Sequence, residues 1–335
     1  MLTSDHKLSF GCSGLAGLYK PVSQAEAAEV LSEAWNAGIR YFDTAPHYGN
    51  GQSERRVGDF LRERDNWVLS TKVGRVLSPS KSSQAEVNGF HDPLPFTQHF
   101  DYTYDGIMRS VEASFHRLGL NKIDILYVHD IGDPAVGTDT PSHQKDLLDS
   151  GARALADLKA EGSVSSVGLG VNTIKICEDL IGRMEIDLIL LAGRYTLLDQ
   201  SAESRLFPLC DKHLIRLVIG GVFNSGILAT GAVEGAFFDY APASQEVLQR
   251  VRRLQAICDG HSVPLATAAL QFPSSKPCVA STLIGTSKVS SLKRNISAWS
   301  SEIPEALWRD VRSEGLIPKS PSGPDAIAAQ DRTIT

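Results

Sequence analysis

With 335 residues, 42% of them hydrophobic and 21% charged, the chain can bury a full core and is too apolar for a disordered one. A net charge of −6, spread along the sequence, offers no basic face for nucleic acid or an anionic membrane. Apolar runs such as Ile186 to Ala192 are far shorter than a membrane span, and Met1 to Lys7 lacks the basic-then-apolar pattern of a signal peptide. A cytoplasmic protein without nucleic-acid or membrane partners is expected. The five cysteines (Cys12, Cys177, Cys210, Cys258 and Cys278) are scattered, odd in number and without a Cys-x-x-Cys pair, which fits reduced thiols and no metal site. Cys12 reads as a small buried hydrophobe near the first strand's mouth.

In chain order, a strand is predicted over 8–11, then a helix over 23–37 that opens on the capping box Ser23-Gln24-Ala25-Glu26. A strand at 40–43 and a helix at 53–61 follow, then a strand at 67–72. The segment 76–100, rich in Ser, Pro, Asn and Gly, falls outside this rhythm and reads as a long loop, a lid over the rim or a disordered stretch. The alternation resumes with a helix at 104–118, a strand at 123–129 and a helix at 143–160. Strands at 166–170, 188–192, 216–220 and 281–284 then alternate with helices at 173–182, 202–212, 243–258 and 287–299. Continuous apolar runs such as Ile123-Asp124-Ile125-Leu126-Tyr127-Val128 mark strands covered on both faces. Eight strand–helix units predict a single-domain α/β fold, a closed (β/α)8 TIM barrel over 1–317, with a C-terminal tail over 318–335. A doubly wound open sheet would carry Gly-x-Gly-x-x-Gly after an early strand; none is there, and Gly168-Leu169-Gly170 lacks the third glycine.

The densest chemical signal is Tyr41-Phe42-Asp43-Thr44-Ala45-Pro46-His47-Tyr48. It presents a carboxylate and a phenol at the carboxyl edge of a strand, where α/β proteins build their sites. Ser70-Thr71-Lys72 and Tyr127-Val128-His129 end two more strands in ionisable residues. Asp43, Tyr48, Lys72 and His129 are therefore expected on one rim. Singly, each has a bland reading: a strand-end cap for Asp43, a surface stem for Lys72, a satisfied core histidine for His129. Their joint placement makes the site.

These segments, with Val167-Gly168-Leu169-Gly170-Val171-Asn172, resemble the aldo-keto reductase superfamily from about Leu8 to Ala298. Gly11 to Tyr19 and Asp101 to Ser110 are similar to its aldose-oxidising branch, which includes L-fucose or D-threo-aldose 1-dehydrogenase, L-galactose dehydrogenase and pyridoxal 4-dehydrogenase. The resemblance implies that Tyr48 is the general acid/base, Lys72 its tuner, Asp43 the partner of Lys72, and His129 an orienter of the substrate oxygen. A free tyrosine is a poor base at neutral pH; an ammonium beside it lowers its pKa, and a carboxylate holds that ammonium in place. His47 reads as a pocket wall or a loop histidine, and Asp130 orients His129 or pairs outward. Tyr19, Phe96 and His99 are further candidate substrate contacts.

The resemblance also implies a nicotinamide cofactor held by later strand ends. Asn172 matches an asparagine on the carboxamide; as a helix cap it would be compatible with that role. Arg194 stands where many relatives have glutamine, and Gly220 where many have a stacking tyrosine, so Arg194 or Phe223 is expected to compensate. Asn224, Ser225, Gly226 and Leu228 resemble a pyrophosphate loop. Ile284, Gly285, Thr286, Ser287 and Lys288 lead into a helix N-terminus, and Asn295 matches an adenine contact. Gly285 and Ser291 fall where NADP-preferring relatives place lysine and arginine. Lacking that bidentate arginine, the chain is expected to use NAD, with NADP possible; Lys288, Lys293 and Arg294 lie nearby.

The expected function is NAD(P)-dependent oxidation of an aldose of the L-fucose, L-galactose or D-threo type at C1 to a lactone. The alternatives are pyridoxal 4-dehydrogenase, NADPH-dependent carbonyl or aldehyde reductase, and a redox-sensing protein like the channel β subunits. A small-molecule substrate, sugar or aldehyde, and a monomer or small homo-oligomer are expected.

Overall fold

The computed structural model describes residues 2–82 and 84–318. Eight parallel strands close into one barrel: β1 (Leu8–Gly11), β2 (Tyr41–Asp43), β3 (Val68–Val73), β4 (Ile125–His129), β5 (Ser166–Val171), β6 (Leu188–Ala192), β7 (Arg216–Gly220) and β8 (Val279–Gly285). Each pairs with the next, and β8 returns to β1 with Gly285 opposite Gly11.

Alternate side chains of a barrel strand face the axis. Tyr41, Ile125, Tyr127, Leu188, Leu190 and Val218 make a small core inside the barrel, closed by Leu2, Val68 and Leu283. The other set, including Phe42, Leu69, Leu126, Val128, Val167, Leu169, Ile189 and Leu191, joins the large cluster between barrel and helices. Both faces are covered, which is why β4 reads as a continuous apolar run.

Helix Gln24–Asn36 begins as the capping box requires, with Ser23 Oγ accepting the Glu26 amide and Glu26 accepting the Ser23 amide. The helix expected at 143–160 is Pro141–Asp146 and Ala152–Ala160 joined through a π turn at Leu147–Gly151. Helices Leu265–Gln271 and Glu305–Ser313 escaped the sequence reading. Leu265–Gln271 is short and almost wholly buried, so it shows no polar face to mark its period.

Residues 76–100 are not a featureless loop. Arg75–Pro79 pairs antiparallel with Phe96–Phe100, and Glu86–Val87 pairs with Phe90–His91 around Asn88-Gly89. Both turn residues have positive φ, 52° and 78°, the Asn-Gly signature of a tight hairpin that the sequence did contain. The inner hairpin docks on the loop after β1: the Tyr19 amide donates to Gly89 O at 2.8 Å and the His91 amide to Gly17 O at 3.0 Å. The predicted tail over 318–335 lies, beyond Pro318, outside the described residues.

Glu54, fully buried on helix Gln52–Leu61, accepts from Thr71 Oγ1 of β3 at 2.7 Å and from Arg117 Nε of helix Tyr104–Leu118 at 2.5 Å. It ties two helices to the strand that carries Lys72. The same helices touch at Gly58, where a Cβ would stand 1.8 Å from the Leu118 carbonyl oxygen. Gly58→Ala should therefore lower the unfolding free energy by about 1–3 kcal/mol. Urea-unfolding midpoints of the two proteins check this, and an unchanged midpoint would contradict so close an approach.

Candidate active site

β2, β3 and β4 end side by side, and each delivers one inward-facing ionisable residue. Asp43 closes β2, Lys72 is the penultimate residue of β3, and His129 closes β4. Tyr48 follows on the turn after β2, where its amide donates to Ala45 O at 3.1 Å. Lys72 Nζ donates to Asp43 Oδ2 at 2.6 Å, to Thr44 O at 2.8 Å and to Tyr48 OH at 3.1 Å. Those three bonds exhaust the donors of an ammonium. The Tyr48 and His129 rings stand edge to face with centroids 6.1 Å apart. Gly170 of β5 leaves room for the lysine stem, because a Cβ there would lie 3.5 Å from Lys72 Cδ and Cε and 3.2 Å from Tyr127 Cβ.

Lys72 and Asp43 are 2% and 1% exposed. Burial alone would depress the Lys72 ammonium, but Asp43 and then Tyr48 outweigh it and hold Lys72 above the ordinary lysine value. For Tyr48, burial is the largest influence and pushes the phenol up to about 12 against the pull of Lys72. The lysine acts in the direction expected from the sequence, but burial outweighs it. The sequence reading did not anticipate Phe90 from the inner hairpin, whose ring stacks on Tyr48 at 6.1 Å. His129 is driven well below its ordinary value, first by burial and then by Lys72 and Arg75, so its imidazole is neutral.

The pocket wall is set by residues that single-motif reading passed over. His47 Nδ1–H donates to Gln98 Oε1 at 2.8 Å, in the tautomer that this acceptor selects. Gln98 Nε2 donates to Asn50 Oδ1 at 2.6 Å, and Asn50 Nδ2 donates to the Leu94 and Phe96 carbonyls. The outer hairpin is thereby pinned to the loop that bears Tyr48. Arg75 Nη2 donates to Asp130 Oδ2 at 2.5 Å, and His129 Nε2 lies 3.4 Å from the same oxygen, so Asp130 faces both. A cavity of about 450 Å³ opens beside His47, lined by Arg75, Asn88, Gln98, His99 and Phe100. Phe96 is half-buried and meets Asn50 through its carbonyl, while Tyr19 is 72% exposed on the loop that holds the inner hairpin.

On the far side of the rim, Asn172 Nδ2 donates to Asp133 Oδ2 at 3.3 Å, and the N-cap of helix Ile174–Leu180 is Thr173 rather than Asn172. Arg194 is already engaged: Nε donates to Asn172 O, Nη1 to Asp199 Oδ2, and Nη2 to both oxygens of Asp239 at 2.9 and 3.0 Å. Its guanidinium braces the strand ends instead of standing free. Phe223 is partly buried against the core, and its carbonyl accepts the Gly226 and Leu228 amides. Asn224, Ser225 and Gly226 hold successive positive φ angles of 44°, 58° and 98°, strain of a kind that clusters at ligand clamps. Asn224 is fixed by Thr196 Oγ1 at 2.5 Å, and Ser225 Oγ accepts the Tyr240 amide at 2.9 Å. Leu228 and Ile284 are buried in the core. Gly285 and Lys288 are exposed, Ser287 is half-buried, and Thr286 Oγ1 accepts the Lys288 amide at 3.1 Å. On helix Val289–Ser300, half-buried Ser291 accepts a bond from Arg294 Nη2 at 2.9 Å, and Asn295 is half-buried one turn on.

His47 gives the site a pH signature. Burial, reinforced by Arg75, depresses it to about 4. Between that value and the ordinary 6.5, the unfolded chain carries a proton here that the folded chain does not. Stability is therefore lost as pH falls through this window, by about 1.4 kcal/mol per unit at most. His47→Gln should lose less stability than the unmodified protein between pH 7 and pH 5 in paired urea titrations; equal losses would contradict the depressed value.

The sequence and the fold match known proteins. The family model described as "Aldo/keto reductase family" matches residues 7–313. A pyridoxal 4-dehydrogenase of Microbacterium luteolum is 44% identical over 92% of this chain and 94% of its own. A D-threo-aldose 1-dehydrogenase of a Pseudomonas species is 39% identical over 93% and 94%. The holo form of an aldo-keto reductase from Bacillus halodurans superposes with a TM-score of 0.72 at 24% identity, over 94% and 93% of the two chains. With a family model across nearly its whole length and two relatives above a third identical, the chain belongs to the aldo/keto reductase family and is an NAD(P)-dependent oxidoreductase.

Proposed function

We propose that this enzyme oxidises an aldose at C1 to a lactone, with Tyr48 as general base and NAD as the favoured cofactor, in the cytoplasm. The observation that carries the reaction type is Lys72 Nζ held between Asp43 and Tyr48. The cavity of His47, Arg75, Asn88, Gln98, His99 and Phe100 supports a polyhydroxylated substrate, since most of its wall is made of side chains that can donate or accept hydrogen bonds. The second reading, pyridoxal oxidation, is favoured by the 44% identical relative and by Phe90 beside Tyr48, which suits an aromatic ring.

Bound nicotinamide dinucleotide supplies the hydride acceptor. Gly193, Gly220, Gly221 and Gly285 add no side chains of their own at the ends of β6, β7 and β8; a Cβ would meet backbone at 3.0 Å at Gly221 and Gly285 but nothing nearer than 3.7 Å at Gly220, so a dinucleotide could approach the backbone here. Asn172, the Asn224–Gly226 turn and the segment from Gly285 to Lys288 would hold it. Tyr48, ionised to its phenolate, would take the proton of the C1 hydroxyl as the hydride leaves and so return to the neutral phenol. Lys72 stabilises the phenolate that precedes this transfer through its 3.1 Å bond, and Asp43 keeps Lys72 charged and in place. Neutral His129 orients the substrate oxygen without adding a competing charge.

Tyr48→Phe keeps the ring and loses only the transferable proton. It should cut kcat by ~10²–10⁴-fold with the cofactor Kd nearly unchanged; retention of more than about a tenth of the activity would remove Tyr48 from the mechanism.

Cofactor choice and substrate are tested together by following reduced-cofactor absorbance with L-fucose, L-galactose, D-arabinose and pyridoxal, each with NAD and NADP. The expected optimum is a sugar with NAD; a higher kcat/KM for pyridoxal would select the second reading. Gly285 and Ser291 give the 2′-phosphate no bidentate partner, and one charge-assisted hydrogen bond is worth roughly ten-fold or more in affinity. Ser291→Arg should therefore improve NADP use more than it harms NAD use. A preference of the unmodified enzyme for NADP would instead make Arg294, already beside Ser291, the phosphate contact.

A further inference from the structure

Below Asp43, the barrel axis holds three hydroxyls that the proposed reaction leaves unused. Ser70 Oγ lies 2.7 Å from Asp43 Oδ1, Tyr41 OH lies 3.1 Å from Ser70 Oγ, and Tyr127 OH lies 3.0 Å from Tyr41 OH. All three side chains are fully buried, and both tyrosines belong to the apolar cluster inside the barrel. Aliphatic or phenylalanine side chains would fill that space with no hydroxyl to satisfy, so the phenols call for an explanation beyond packing.

Each proton has only one direction to take. Asp43, the carboxylate partner of the Lys72 ammonium, has lone pairs alone to offer. Ser70 must give its single proton to Oδ1. Its remaining lone pairs can only accept, so Tyr41 donates to Ser70 and Tyr127 donates to Tyr41. Burial above all holds both phenols above the ordinary tyrosine value, so each has the proton this order needs. The series runs one way, from Tyr127 through Tyr41 and Ser70 to Asp43, and each donor polarises the next.

We infer that Ser70, backed by Tyr41 and Tyr127, is a positioning residue that sets how strongly Asp43 draws on the Lys72 ammonium, and through it how readily Tyr48 gives up its proton. A donor on Oδ1 takes up part of the carboxylate's charge. Without it, that charge concentrates on Oδ2, Lys72 is drawn more fully to Asp43, and less positive charge is directed at Tyr48. The phenolate then loses stabilisation, and Tyr48 ionises at a higher pH. The inference rests on the reading of Tyr48 as general base.

The test compares Ser70→Ala, Tyr41→Phe and Tyr127→Phe, each of which deletes one hydroxyl and adds nothing. Three quantities are measured: the pH profile of kcat, the cofactor Kd by calorimetry, and the melting temperature. Ser70→Ala should raise the pKa at which the phenolate limb levels off by about half to one unit. That equals about three- to ten-fold lower kcat at a fixed pH below it, with KM and cofactor Kd unchanged. Tyr41→Phe and Tyr127→Phe should shift the limb the same way, in decreasing order. A lower melting temperature with an unmoved pKa would mean a structural role only and would overturn the inference, as would a shift in the opposite direction. Should Ser70→Ala not fold, the two phenylalanine variants decide the matter by the same criterion. Failure of the base reading looks different, because Tyr48→Phe would then stay active.

Discussion

An ammonium sunk in the mouth of an apolar barrel must find an acceptor for each of its three N–H groups, or its burial is prohibitive. Lys72 finds them in Asp43, the Thr44 carbonyl and Tyr48, and much of the local structure follows from that demand. β2 and β3 must pair with Asp43 opposite Ser70, and the Thr44 amide, bonded to Ser70 O at 2.9 Å, turns its own carbonyl toward the lysine. The lysine stem must pass β5 where Gly170 has no side chain. Glu54 holds Thr71, next to Lys72, from outside the barrel, so the helical layer also fixes the strand that carries the charge.

The same constraint shapes the proposed chemistry. A charge this well satisfied does not move, which makes Lys72 a fixed source of potential at Tyr48 rather than a proton donor. The hairpins of residues 75–100 work against it: by placing Phe90 on Tyr48 they strip water from the phenol and raise its pKa. The free enzyme thus keeps Tyr48 protonated at neutral pH. Deprotonation becomes favourable only when further positive charge arrives at the rim, as an oxidised nicotinamide would bring.

The strand ends were legible because Asp43, Lys72 and His129 interrupt apolar runs, and the period of eight such units specifies a barrel. The hairpins were legible in principle, through Asn88-Gly89, but a composition rich in Ser and Pro masked the alternation on either side. Tyr41 and Tyr127 passed as ordinary strand residues, since nothing in a sequence says that two phenols 86 residues apart will meet. Arg75, Gln98 and Asn50 were invisible for the same reason: each matters through a long-range bond. At Tyr48 the pull of Lys72 has the expected sign, but the larger effect of burial was not legible, because a sequence names the neighbouring charge and does not reveal how much water the neighbours exclude. Arg194 or Phe223 was expected to compensate at the nicotinamide grip, and the sequence could not show that Asp199 and Asp239 hold the Arg194 guanidinium.

The central claim is that Lys72 is a permanently charged, fully bonded ammonium. Nitrogen-15 spectra of protein labelled at lysine Nζ, with the Lys72 signal assigned by its loss in Lys72→Met, test this directly. The account predicts an ammonium resonance with slowly exchanging protons that does not titrate up to pH 10.5, about where ordinary lysines lose their charge. A Lys72 signal that titrates at or below that value would contradict it.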